Sequence, residues 1–223
     1  MTPFGSLPIL TVHDTFDSAG EENEAEAITA RKSIPEADVI ERFLAKRFGF
    51  MGSTADEELE ICIVLSQTIT IHNVWVFRVV PASAMENAPE ARAKILQTFL
   101  DVTLRNWVLN CEKQLGTNNN NNNNRYNQKA DKGVYLVGDK LSLADIKTAV
   151  LMDMLLAVAG ADVYLNAEAA PGLWRLKENV DTLYPRYRAY RKSEAFRLQD
   201  EMTASKVVPR LEGFDLSRSH IFS

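Results

Sequence analysis

The segment Leu141-Ser-Leu-Ala-Asp-Ile146 sets a hydroxyl and a carboxylate three residues apart, the spacing at which a helix N-cap and its third residue exchange hydrogen bonds. In that arrangement Ser142 accepts from the Asp145 amide, and the Asp145 carboxylate reaches back to the amide of Ser142. Leu141 and Ile146 stand where a hydrophobic staple closes over the turn. The chemistry of these four residues is structural, and losing Ser142 costs roughly 1 kcal/mol through the cap alone. Other reactive side chains are scattered. His13, His72 and His220 have no partner at catalytic or metal spacing. Cys62 and Cys111 lie far apart in apolar segments and read as buried thiols in a reducing compartment. No metal site is expected. Glu36 reads by position as a first-turn acid complementing a helix dipole. Pro8 reads as the residue that starts a strand.

The elements that must position these residues follow from periodicity. Leu7 to Val12 is short, apolar and β-branched and reads as a strand, and a second strand is expected over Ala27 to Lys32. Between them Thr15 to Glu26 carries five acids and no base, so it reads as an exposed loop closing a hairpin. From Pro35 the period becomes helical, with Val39, Ile40, Phe43 and Leu44 on one side and Gly49 as the stop. Ser53 or Thr54 caps the next helix. Its β-branched run from Ile61 also suits strands, and length decides for helix.

A third helix is expected from Pro89 to Leu115, with Ile95, Phe99, Val102 and Leu109 as its apolar face and Gly116 as its end. The seven asparagines Asn118 to Asn124 cannot form a core and read as part of an insertion over 117–131. The helix opened by Ser142 is almost wholly apolar (Leu143, Ile146, Val150, Leu151, Met154, Leu155, Val158), as suits the centre of a bundle. Leu173, Leu176, Val180, Leu183, Tyr187 and Tyr190 form the stripe of a last helix. Trp75, Trp107 and Trp174 read as core aromatics.

Composition narrows the function class. At 223 residues, 46% hydrophobic and with a net charge of -5, the chain matches an ordinary soluble protein. That balance argues against nucleic acid as the partner. Its most apolar run, Ile61 to Val80, is broken by Ser66, Gln67, Thr68, His72, Asn73 and Arg78, so no membrane span is expected, and the location is expected to be cytoplasmic.

Three stretches together resemble the cytosolic glutathione S-transferases. Phe4-Gly-Ser-Leu-Pro-Ile-Leu-Thr-Val12 is similar to that family's third strand, where the residue before a cis-Pro offers its backbone to glutathione. Pro35-Glu-Ala-Asp-Val-Ile-Glu-Arg-Phe-Leu-Ala-Lys-Arg-Phe-Gly49 resembles its third helix. Val137-Gly-Asp-Lys-Leu-Ser-Leu-Ala-Asp-Ile146 is similar to the signature of its C-terminal domain. The resemblance implies a mostly α chain: an α+β remnant of a thioredoxin-like fold over residues 1–50, then an all-α bundle over 51–223. It implies glutathione as co-substrate, held by the backbone of Leu7 before Pro8 and by the carboxylate of Glu36. Ala37 stands where the family has a serine, so only helix-start amides remain for the γ-glutamyl carboxylate. The opening strand, helix and strand that carry the family's catalytic Tyr, Ser or Cys have no counterpart before Pro8. Thr2, Ser6 and Tyr126 do not fill that role, so no catalytic residue is assigned.

Two functions are then expected, in different classes. One is a transferase conjugating glutathione to a small hydrophobic electrophile, as in detoxification. The other is a non-catalytic binding or scaffold module, or an incomplete chain. The family's habit of dimerising implies a homodimer through the third helix of the first domain and the first two of the second.

Overall fold

The computed structural model describes residues 8–14, 30–83, 87–122, 134–156, 158, 160–183, 189–190 and 192–194. The chain divides into two compact units, Met1–Met51 and Gly52–Ser223. The first holds the only sheet among the described residues, an antiparallel pair of β1 (Ile9–Asp14) and β2 (Ala30–Pro35). Ile9 pairs with Pro35 and Asp14 with Ala30. The strands are those expected, each shifted toward the C-terminus by two or three residues.

Helix α1 (Ala37–Arg47) follows at once and packs on both strands. It stops at Gly49, whose φ of 79° lets the Phe50 amide donate to the Ala45 carbonyl at 2.7 Å and the Gly49 amide to Lys46 at 3.5 Å. This is a Schellman ending, which requires the left-handed conformation that glycine adopts without strain. Val39, expected on the inner face, is exposed, and Ala45 is the buried side chain of this helix.

The second unit is helical. Thr54 caps α2 (Ala55–Val74) by accepting from the Glu57 amide at 3.1 Å, and the Glu57 carboxylate accepts from the Ser53 amide at 2.5 Å. The helix continues through a π-helical stretch, Trp75–Val79, into α3 (Val80–Ser83). Pro81 has no amide hydrogen and cannot bond back to the Phe77 carbonyl, and the wider π turn lies just ahead of it. The buried row of Ile61, Leu65, Thr68, Ile71, Trp75 and Val79 advances in steps of three or four, and α2 packs on α6. By length and composition alone the rod Ala55–Ala82 is long and apolar enough to cross a membrane, with a mean hydropathy of 1.3 over its most apolar 18 residues. Its polar residues and its face against α6 are those of a bundle helix.

Pro89 occupies the first turn of α4 (Pro89–Thr98), where its missing amide hydrogen leaves no hydrogen bond unmade. A second π-helical stretch, Phe99–Leu104, joins it to α5 (Arg105–Asn122). Here the expected face holds at Phe99 and fails beyond it. Val102 and Leu109 are exposed, and the buried side chains are Phe99, Leu100, Leu104, Trp107, Val108, Cys111 and Leu115. A π turn inserts a residue, so a stripe extrapolated at 3.6 residues per turn from Ile95 slips to the wrong side. Gly116 does not end α5, which runs on to Asn122; asparagine is a poor helix former but not a helix stop. The remainder of the 117–131 insertion lies outside the described residues.

Helix α6 (Leu143–Leu156) packs on α2 and α7, and α5 packs on α7 (Pro171–Leu183). A 3-10 turn over Ala161–Val163 lies between α6 and α7. Leu173, Leu176 and Val180 are buried as expected, whereas Tyr190 is exposed and does not prolong the stripe. Val150 on α6 is also exposed, while two acids of that helix, Asp145 and Asp153, are buried.

Candidate functional site

In the first unit the strand register brings two of the expected ligand residues together. Because Ile9 pairs with Pro35, Pro8 and Glu36 stand at the same end of the hairpin, one position beyond the last rung. Both are exposed, as is Ala37. Leu7 lies outside the described residues, as do Thr2, Ser6, Tyr126, His220 and the acidic loop before Glu26.

Glu36 is the N-cap of α1, yet its side chain makes no capping hydrogen bond. Its backbone has φ 73° and ψ 125°, and it is the one non-glycine among the described residues with a positive φ. An L-residue held there costs of order 1–3 kcal/mol. The Glu36 carbonyl accepts from Ile40 at 3.0 Å, which closes the first turn. The Glu36 side chain is exposed and adds no hydrogen bond to the start of α1. The amides that open α1 next to Ala37 remain able to receive an anion.

In the second unit Asp145 is fully buried and its carboxylate collects three hydrogen bonds. The Ser142 amide donates at 2.8 Å, the Ser142 hydroxyl at 2.7 Å, and the Leu136 amide at 2.8 Å. The reach from Asp145 back to the cap amide is as expected. The hydroxyl behaves differently: it donates to the carboxylate, because a buried anion is the strongest acceptor within reach. The Leu136 contact ties the preceding loop to the helix and is invisible in the local motif. Burial pushes the Asp145 carboxyl up to about 6, against the pull of these hydrogen bonds. Leu141 is buried and Ile146 half-buried.

Other polar contacts also serve architecture. Glu112 of α5 accepts from the Gly172 amide at 3.1 Å and the Leu173 amide at 2.7 Å, capping α7 from a distant helix. Lys177 is buried between Asp153 at 2.9 Å and Asp181 at 2.6 Å, tying α7 to α6. Tyr164 donates to Asp101 at 2.7 Å, and the hydrogen bond from Gln97, with this one, holds the Asp101 carboxyl below its usual range. Cys111 is buried, and burial pushes its thiol up to about 12, so it is no nucleophile. Trp75 and Trp107 are buried core aromatics, whereas Trp174 is half-buried and donates to Glu178 at 3.1 Å. Among the described residues no three His, Cys, Asp or Glu side chains gather as a metal site.

A cavity of about 450 Å³ lies inside the hairpin of α2–α3 and α4, lined by parts of both π-helical stretches. Sequence reading missed it because it depends on two local departures from the α period. The cap from Glu112 was equally hidden, since its partners are 60 and 61 residues away. Glu57 was legible, because Thr-x-x-Glu is a capping-box pattern.

The family model for the glutathione S-transferase C-terminal domain matches residues 76–194, more than half of the chain. This chain belongs to the glutathione S-transferase family. The matched span contains the Ser142–Asp145 cap and the α4–α7 bundle of that domain. Among solved structures, this chain is similar in fold to prostaglandin synthase D of Nilaparvata lugens. That match has a TM-score of 0.56 and 20% identity over 86% of this chain and 76% of the other. It is also similar to NaGST-2, with a TM-score of 0.52 and 19% identity over 73% of this chain and 69% of the other. At these identities the likeness concerns the fold. No curated protein matches the chain.

Proposed function

We propose that the chain binds glutathione at the Pro8–Glu36 end of its hairpin and conjugates the glutathione thiolate to a small hydrophobic electrophile. The observation that carries this reading is Glu36: exposed, strained at φ 73°, and unused by the helix it opens. Backbone strain of this kind persists where the surrounding structure uses it, and a free carboxylate suits the γ-glutamyl ammonium. The backbone of Leu7 would pair with the cysteinyl part of the tripeptide, which needs a strand edge and no particular side chain. The rate would come from holding thiolate and electrophile together and from a lowered thiol pKa. The family's ordinary setting, detoxification by a cytoplasmic homodimer, is proposed with it.

Calorimetry with glutathione tests the site. Glu36→Ala is expected to weaken binding about tenfold, the loss of one charge-assisted contact. Glu36→Gly separates ligand from strain: it should weaken binding as much while raising stability by roughly 1 kcal/mol, because glycine accepts the positive φ. No heat at millimolar glutathione with the unaltered chain would end the proposal.

A second reading, a non-catalytic scaffold, is favoured by Ala37 in place of a hydroxyl and by the exposed Leu59 and Ile63 on α2. Dimerisation without glutathione binding would single it out.

A further inference from the structure

The two π-helical stretches differ in their local causes. The first lies just ahead of Pro81, whereas Phe99–Leu104 has no proline within it or in the helix that follows. Thr98, one residue before it, donates its hydroxyl to the Lys94 carbonyl at 2.7 Å. Such back-bonding bends a helix but does not by itself widen it. Thr68 and Thr70 make the same bond to Val64 at 3.0 Å and to Ser66 at 2.9 Å inside α2, which stays α-helical there. A π turn is rare, and this one needs a cause from outside its own helix.

Two residues of the connector between α6 and α7 meet it. Gly160, at φ 85°, comes so near that a Cβ on it would stand 3.0 Å from Leu100 Cδ1. Tyr164 donates its hydroxyl to Asp101 at 2.7 Å. The connector is held internally: the Tyr164 and Leu165 amides donate to the Ala161 carbonyl at 3.0 and 2.9 Å. Asn166 donates to the Asp162 carbonyl at 2.7 Å and accepts from the Glu168 and Ala169 amides at 2.8 Å each. An α-helix sets successive side chains about 100° apart. The i→i+5 closure of a π turn puts more residues into each turn and narrows that angle, so the consecutive Leu100 and Asp101 can both meet one connector.

The two flanks of the turn are unequally anchored. Helix α5 buries Trp107, Val108, Cys111 and Leu115, whereas α4 buries none of its residues. Tyr164 and Asp101 are half-buried, so water competes for the bond between them.

We propose that the Tyr164–Asp101 hydrogen bond is a latch on this π turn. Closed, it holds Phe99–Leu104 in the wide register. Open, it lets the turn revert to α, and the weakly anchored α4 rotates by about 100°, one residue's worth. The device couples the α6–α7 connector to α4 within the second unit and is separate from the glutathione reading at Glu36.

Hydrogen exchange on the full chain, resolved by peptide, tests this. Tyr164→Phe removes one hydroxyl and keeps the ring, so the fold is retained. Amides of α4 and of the π stretch should then exchange about tenfold faster, the effect of one charge-assisted hydrogen bond in competition with water. Those of α6 and α7 should keep the wild-type rate. Asp101→Ala should match that acceleration, and Tyr164→Phe should add nothing in its background. Gln97→Ala removes the bond that Asp101 receives along its own helix and should leave exchange unchanged. Wild-type exchange in Tyr164→Phe, acceleration that spreads into α6 and α7, additive effects of the Tyr164 and Asp101 changes, or equal acceleration in Gln97→Ala would each overturn the proposal.

Discussion

Asp145 shows how one buried carboxyl can shape the stability of the whole helical unit. Its folded-state value of about 6 lies above the ordinary 3.8, so the folded chain binds a proton that the unfolded chain releases between those values. Stability from this group is therefore fully present below about pH 4 and is lost as pH rises through about 6. Asp145→Asn removes the titration and leaves an amide facing the Ser142 donors. The lead of the wild type over this variant, read from urea melts, should grow by roughly 2–3 kcal/mol between pH 7 and pH 4. A lead that stays constant or shrinks in acid would show that burial does not raise this carboxyl. Ser142 acts in the same cluster. Its replacement by alanine removes the 2.7 Å donation to the buried Asp145 carboxylate, so a loss of about 1–2 kcal/mol is expected.

Among the elements, α7 is the one that depends most openly on a neighbour. Pro171 opens it, and the next two amides are received by Glu112. Glu112→Ala should cost about 1–3 kcal/mol in chemical melts, since a charged acceptor and a favourable helix dipole are lost together. An unchanged midpoint would show that water replaces the carboxylate at no cost. What could be read from sequence follows the same line between local and distant causes. The hairpin, the Gly49 stop, the Thr54 and Ser142 caps and the Pro89 start are all set within a few residues, and each was legible. The buried face of α4–α5 was not, because the π stretch at Phe99 shifts the register in a way no residue type announces. The ties from Glu112 to α7 and from Lys177 to Asp153 were hidden for another reason: each partner lies on a separate helix. At the candidate site, the types and spacing of Pro8 and Glu36 were legible. The strain at Glu36 was not, because it belongs to the backbone.

At the scale of the molecule, the apolar run of α2 meets two demands. Six side chains along α2 and the π-helical stretch after it, from Ile61 to Val79, are buried within the chain. Leu59 and Ile63 remain 60% and 51% exposed one helical turn apart, and the proposed homodimer would cover them. Sedimentation at micromolar concentration should then show a dimer that Leu59→Glu with Ile63→Glu converts to monomer without lowering the melting temperature. A wild-type chain that sediments only as monomer would remove the dimer from the reading of function.

The cap that Glu112 places on α7 also bears on the order of assembly. A helix start that borrows its acceptor from 60 residues earlier cannot be completed while that earlier helix is still searching for its place. On a ribosome α5 emerges first, and α7 can close its first turn only against a preformed template. Loss of Glu112 should therefore slow refolding as well as loosen the folded state if α5–α7 docking belongs to the folding nucleus. It should only hasten unfolding if that docking comes last.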